Sequence, residues 1–176
     1  IYGGYDHLVV EPMLRDKEYV YIGASIFIDW VYVDNIAFAH LLAEKELREG
    51  NAKVGGQAFN VTDNNPVWNV DFRERVIHYS GKKVQRKYAP YNLILMMGYA
   101  IHAGQSMLQH RFPRLQEPLS YLTLTALRIM NIDMVVRSKK AKSVLGYEPP
   151  FDLDEGIQLS IAEYEGGFNN SNMLLK

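Results

Sequence analysis

The 176-residue chain contains no cysteine, which excludes a disulfide framework and any thiolate-ligated zinc or iron-sulfur site, so its core must hold by packing alone. It also lacks a charge excess of either sign: 19 Lys and Arg stand against 20 Asp and Glu, for a formal net charge of -1. No broad basic field is available to attract a phosphate backbone, so nucleic acid is not an expected partner. No basic stretch followed by an apolar run and a small-residue cleavage site opens the sequence, and its beginning at Ile1 reads as a cut or trimmed start. Internal repeats are lacking, and no six-residue glycine fingerprint of a dinucleotide cradle occurs. Five histidines are present, His7, His40, His78, His102 and His110, but none pairs with another at the i, i+4 spacing of a helical zinc site, and no metal is expected.

What the chain does have is ordinary globular content, 48% hydrophobic and 22% charged, enough for one real core. Its patterning alternates between strand and helix. Residues 27–33 are rich in β-branched and aromatic side chains, and Asp34 follows as a candidate cap for a helix over 35–49 stopped by Gly50. A second strand is expected over 57–61 and a turn-rich loop over 62–66. A helix over 70–79 closed by Gly81 and an extended stretch over 84–88 come next. Tyr91 to Leu108 has apolar residues nearly all round the helix, and a weaker helical run is expected over 119–130 after a Pro-containing break. The close of the chain reads as a strand over 134–136, Ser138 as a cap, a helix to Leu145 ended by Gly146, and a last helix opened by the capping box of Asp152 and Glu155. Leu153, Ile157, Ile161 and Tyr164 form its apolar face, Gly166-Gly167 is its expected end, and the unit is taken as 1–165 with a loose tail over 166–176. The alternation argues for an α/β fold.

The acidic pairs Asp71 with Glu74 and Asp154 with Glu155 fall in expected first turns, where negative charge meets the helix dipole, so capping is preferred to acid-base chemistry. His40 lies among apolar neighbours of its helix and is expected to be a hydrogen-bonded core or boundary residue.

Trp30-Val31-Tyr32-Val33-Asp34-Asn35-Ile36-Ala37-Phe38-Ala39-His40 resembles the strand-to-helix segment of 3β-hydroxysteroid dehydrogenases and sterol-4α-carboxylate 3-dehydrogenases. Three further stretches resemble the same family, and the four together cover nearly the whole chain in similar order. They are Ile1-Tyr2-Gly3, Gly56-Gln57-Ala58-Phe59-Asn60-Val61-Thr62-Asp63, and Ser138-Lys139-Lys140-Ala141-Lys142-Ser143-Val144-Leu145-Gly146-Tyr147-Glu148-Pro149. The resemblance implies the C-terminal part of an extended short-chain dehydrogenase of Rossmann type, with a helical substrate-binding region and the nucleotide-binding half outside the chain. It implies NAD or NADP for the complete protein, held by an N-terminal glycine motif and not by this chain alone, and a catalytic Tyr-x-x-x-Lys pair expected upstream of Ile1. Tyr88, Tyr121 and Tyr147 have Asn92, Thr125 and Phe151 at the lysine position, and the pair is taken to be absent here.

By the same carry-over Tyr2, Tyr32, Asp34 and Asn35 border a sterol-like substrate cleft, with Asp34 more a structural cap than a chemical group. The implied partners are the Rossmann half or other protein subunits. Tyr91 to Leu108 offers a possible membrane surface, with the endoplasmic reticulum or a mitochondrial membrane as the expected intracellular location. Three functions follow as expectations: the substrate-binding part of a steroid dehydrogenase, a non-enzymatic accessory subunit of a membrane-associated complex, and a lipid-binding module.

Overall fold

The computed structural model describes residues 1–16, 18–22, 26–108, 124–129 and 131–173. Its elements in chain order are α1 (Val10–Arg15), β1 (Glu18–Ile22), β2 (Phe27–Ile28), α2 (Val33–Arg48), β3 (Val67–Trp68), α3 (Asn69–Ser80), β4 (Gln85–Ala89), α4 (Tyr91–Leu108), α5 (Leu124–Ile129), α6 (Lys139–Leu145) and α7 (Leu153–Met173). β1 pairs in parallel with β4, and β2 pairs antiparallel with β3. Single parallel bridges join Tyr2 to Tyr32 and Ile28 to Met134.

The main core is aromatic at its centre. Trp30 stacks on Phe72 with ring centroids 4.1 Å apart, and Tyr2 meets Phe72 edge-on at 5.1 Å, an arrangement that puts positive ring edges on negative faces. Met13 and Leu14 from α1, Val76 from α3, and Leu153, Ile157 and Ile161 from α7 close round it. The expected apolar face of the last helix is therefore the face that packs. A second cluster, Ala39, Val54, Ala141, Leu145 and Tyr147, seats α6 on α2.

Local chemistry accounts for several ends. Gly50 (φ 77°), Gly81 (φ 64°) and Gly146 (φ 67°) take the left-handed conformation just beyond α2, α3 and α6, where a side chain would be strained. The capping box at α7 is reciprocal: the Glu155 amide donates to Asp152 Oδ1 at 2.8 Å and the Asp152 amide to Glu155 Oε2 at 3.0 Å.

Other expectations fail for tertiary reasons. The run 27–33 keeps only two ladder residues, because beyond Ile28 its backbone bonds single residues: Asp29 N–H donates to the Met134 carbonyl and Val33 N–H to the Tyr2 carbonyl. No strand forms over 57–61, whose backbone finds no ladder partner among the described residues, and 134–136 is reduced to one bridge at Met134. Asp34 caps nothing: α2 starts at Val33, two residues earlier than expected, with Tyr32 as N-cap and no side-chain cap bond. Ser138 stands at the N-cap of α6, yet its hydroxyl bonds Asn64 Oδ1 instead of the helix. Helix α7 passes through Gly166 and Gly167, since a glycine in a helix costs only about 1 kcal/mol relative to alanine. Of the run 119–130 the described part is α5, and the break at 111–118 lies outside the described residues.

Two side-chain expectations are also corrected. His40 is exposed on α2, its Nδ1 2.8 Å from the Ile36 carbonyl oxygen. Glu74 serves no cap: it accepts from Tyr21 Oη and from Arg86 Nε, each at 2.7 Å, and the arginine holds its carboxyl below the usual range.

Candidate functional site

The bridge between Tyr2 and Tyr32 brings the first six residues beside the start of α2, and α7 lies across both. Tyr2 N–H donates to the Val31 carbonyl at 3.0 Å, and Tyr2 Oη lies 3.4 Å from the Leu153 carbonyl. The contact is close because residue 156 is glycine: a Cβ there would lie 3.0 Å from Tyr32 Cγ and nearer still to Tyr2 Oη. About two turns further along α7, Glu163 reaches back. Its Oε2 accepts the Gly4 amide at 3.1 Å and its Oε1 lies 3.4 Å from Tyr32 Oη.

These contacts shape an open cleft of about 340 Å³ lined by Ile1, Tyr2, Gly3, Gly4, Tyr5, Asp6, Val33 and Glu163, a size in the range of small-molecule sites. The glycines are required by space: a Cβ on Gly3 would come within 2.8 Å of Val33 Cγ1, and one on Gly4 within 2.5 Å of Glu163 Oε2. Asp6 Oδ1 accepts the amides of Leu8 and Val9 at 2.9 and 3.2 Å. Its Oδ2 is buried and has no protein partner.

Behind this cleft, on the other side of the Tyr32 backbone, lies a buried polar junction. Asp63 accepts the Tyr32 amide at 3.0 Å and Asn35 Nδ2 at 2.8 Å. Asn35 also grips the backbone of Phe151 twice, accepting its N–H at 3.1 Å and donating to its carbonyl at 2.9 Å. One amide side chain thus ties α2, the 62–66 loop and the entry to α7. Burial pushes the Asp63 carboxyl up to about 6, against the opposing effect of the Asn35 and Tyr32 donors. Burial likewise pushes the hydroxyls of Tyr2 and Tyr32 upward, so neither is an acid at neutral pH.

The four sequence-derived candidates therefore separate. Tyr2 lines the cleft, Tyr32 stands behind it with its hydroxyl toward Glu163, Asn35 is wholly buried in the junction, and Asp34 is exposed on the first turn of α2. Asp6, Asp63 and Glu163 were missed. Asp63 lies in a turn-forming run that reads as locally satisfied, and no pattern in the sequence distinguishes Glu163 from other surface acids of a helix.

A Tyr-x-x-x-Lys spacing does occur, at Tyr79 and Lys83, contrary to the expectation that the chain has none. The fold separates the two: α3 ends at Ser80, Gly81 turns left-handed, and Lys83 lies past the helix, so they do not share a helical face. Neither lines the cleft. Among the described residues the glycines with positive φ at 50, 81 and 146 follow helices and Gly56 lies in a turn, so none of these four opens a helix. No cluster of three metal-ligating side chains exists among the described residues.

The sequence profile of the 3-beta hydroxysteroid dehydrogenase/isomerase family matches residues 1–89. Among curated proteins, the 3beta-hydroxysteroid-dehydrogenase/decarboxylase isoform 1 of Arabidopsis thaliana is 27% identical over 93% of this chain and 38% of its own length. Mouse short-chain dehydrogenase/reductase family 42E member 1 is 30% identical over 80% of this chain and 35% of its own. The decarboxylating sterol-4-alpha-carboxylate 3-dehydrogenase of Candida albicans is 29% identical over 76% and 37%. The chain thus spans under two fifths of the length of each.

Solved structures agree on the fold. The NAD complex of dTDP-glucose 4,6-dehydratase from Bacillus anthracis superposes with a TM-score of 0.59 at 19% identity, covering 96% of this chain and 43% of that one. UDP-glucuronic acid 4-epimerase from Bacillus cereus, with UDP-glucuronic acid and NAD, gives 0.60 at 15% identity, covering 94% and 42%. At these identities the likeness establishes an α/β fold and nothing of the ligands.

Proposed function

Because this chain belongs to the 3-beta hydroxysteroid dehydrogenase/isomerase family, we propose that residues 1–165 are the substrate-binding part of an NAD(P)-dependent 3β-hydroxysteroid or sterol dehydrogenase and do not catalyse hydride transfer by themselves. The observation that carries this reading is the cleft beneath Tyr2, Val33 and Glu163, largely apolar in lining and large enough to take the end of a steroid. On this reading NAD or NADP is held, and the assisting tyrosine and lysine are supplied, by residues other than those described.

Two measurements on the natural protein test the reading. Its intact mass should exceed that of the 20.2 kDa chain by a nucleotide-binding half, roughly 150 residues on typical domain sizes. It should oxidise a 3β-hydroxysteroid with NAD or NADP, and substitution of Gly156 by leucine, which crowds Tyr2 and Tyr32, should raise KM. A protein of full mass that binds no 3β-hydroxysteroid would sink the proposal.

A second reading has its own observation. Leu93, Met96, Met97 and Tyr99 on α4 are exposed, as are Ile129 and Ile132 at the end of α5 and just beyond, an apolar surface larger than isolated exposed residues make. It supports a role at a membrane of the endoplasmic reticulum or mitochondrion, or as a non-enzymatic accessory subunit of a membrane-associated complex. No helix among the described residues is long and apolar enough to cross a membrane. Flotation with vesicles favours the surface, and stable co-purification with other chains at a mass near 20.2 kDa favours the subunit.

A further inference from the structure

The formal charge of -1 is the average of two unlike parts of the sequence. Residues 75–147 hold twelve of the nineteen Lys and Arg but only Glu117 and Asp133 of the twenty acids, so the balance over the whole chain conceals a basic segment. Within it, residues 88–110 contain no Lys, Arg, Asp or Glu. Arg86 and Lys87 directly precede this uncharged run, and Arg111 directly follows it.

The fold turns that order into a surface. Lys83, Arg86 and Lys87 are exposed on and just before β4, whose end at Ala89 leads into α4 at Tyr91. On α4 the side chains of Leu93, Met96 and Met97 are more than half exposed. Arg128 of α5 donates to Tyr99 Oη at 2.8 Å, which brings a further exposed cation to α4. Two acids oppose this set: Glu74 pairs with Arg86 and Glu18 with Lys87. Both pairs are exposed and contribute little, and four cations against two acids leave two net positive charges. Water satisfies the cations but not the apolar side chains. The boundary of a bilayer satisfies both, with acyl chains for Leu93, Met96 and Met97 and headgroups for the cations and the exposed Tyr88 and Tyr99.

We infer that this surface docks on a leaflet carrying anionic phospholipids, and that the cations flanking the uncharged run select it by lipid charge. This rests on the membrane reading given above and narrows it to one headgroup chemistry. Each Lys or Arg held near an anionic leaflet adds about fivefold to partition. Two uncompensated cations thus give a preference of roughly twentyfold over a neutral bilayer.

The test is partition of the natural full-length protein onto vesicles of phosphatidylcholine alone and of phosphatidylcholine mixed with phosphatidylserine, each at low and high salt. Binding to the mixed vesicles should be stronger by about tenfold or more at low salt, and the difference should shrink as salt screens it. Lys83→Gln, at an exposed position before β4, should lower the preference several-fold and leave binding to phosphatidylcholine unchanged. Met96→Ser with Met97→Ser should weaken binding to both vesicles alike. Equal binding to the two vesicles, or a preference indifferent to salt and to Lys83→Gln, would overturn the inference and leave the membrane reading standing. Binding to neither would remove both. A stable complex with an acidic protein in place of vesicle binding would overturn the bilayer as the occupant of this surface.

Discussion

Asp63 offers a test of the junction behind the cleft in which the sign of the effect is informative. Its carboxyl is buried and pushed up to about 6 from an ordinary 3.8, chiefly by desolvation. A folded-state value above the unfolded one means that the folded protein binds this proton more tightly, so the contribution of Asp63 to stability grows as pH falls through about 6 and levels off below 3.8. Between pH 7.5 and 5 the gain is about tenfold in the folding constant, or about 1.4 kcal/mol. Burial pushes Asp29 in the same direction, and it adds to the effect. Glu74, held low by Arg86, opposes it only at more acid pH, because its stabilisation is lost as pH falls through a value below 4.5. Asp63→Asn keeps one acceptor for the Tyr32 or Asn35 donor and removes the titration. Urea unfolding can be followed through Trp30, whose carbonyl accepts the Asp63 amide at 3.2 Å and whose ring lies in the core. The wild-type midpoint should rise relative to that of the variant as pH is lowered from 7.5 to 5. Parallel pH profiles for the two proteins, or a wild type that loses stability relative to Asp63→Asn over that interval, would refute the reasoning.

Gly156→Ala should destabilise the protein by about 1–3 kcal/mol, since its methyl would press on Tyr32 and Tyr2; a thermal midpoint raised by the usual gain of alanine in a helix would contradict the packing. Asp152→Ala removes the side-chain acceptor of the Glu155 amide in the α7 capping box and should cost about 1 kcal/mol, read as an earlier urea midpoint. Arg75→Ala removes the pair with Asp154 at 2.7 Å; both side chains are partly exposed, so the loss should be below about 1 kcal/mol and should vanish in high salt. Tyr79→Phe and Lys83→Met should leave dehydrogenase turnover of the complete protein unchanged, because the end of α3 divides them; a large fall in kcat would restore them as a catalytic pair.

What the sequence determined alone was local. The helices α3 and α4, the glycine stops at 50, 81 and 146, and the reciprocal capping box at α7 depend on residues within a turn or two of one another, and hydrophobic period and capping chemistry reveal them. Family-like segments at Tyr2, at 30–40 and at 138–149 pointed to the fold, and to Tyr2, Tyr32, Asp34 and Asn35 as residues bordering a cleft, of which Tyr2 lines the one described. Only the tertiary structure decided that Asp34 faces solvent while Asp63, 28 residues beyond Asn35, enters the junction that α2 was expected to settle with its own cap. It also decided that 57–61 and 134–136 are not strands, because a ladder needs a neighbour that propensity cannot supply. Glu163 reaches Gly4 across 159 residues of sequence, and it does so only because α7 packs on Tyr2 through Gly156. Such contacts follow from where helices are laid against one another, and no pattern along the chain encodes them.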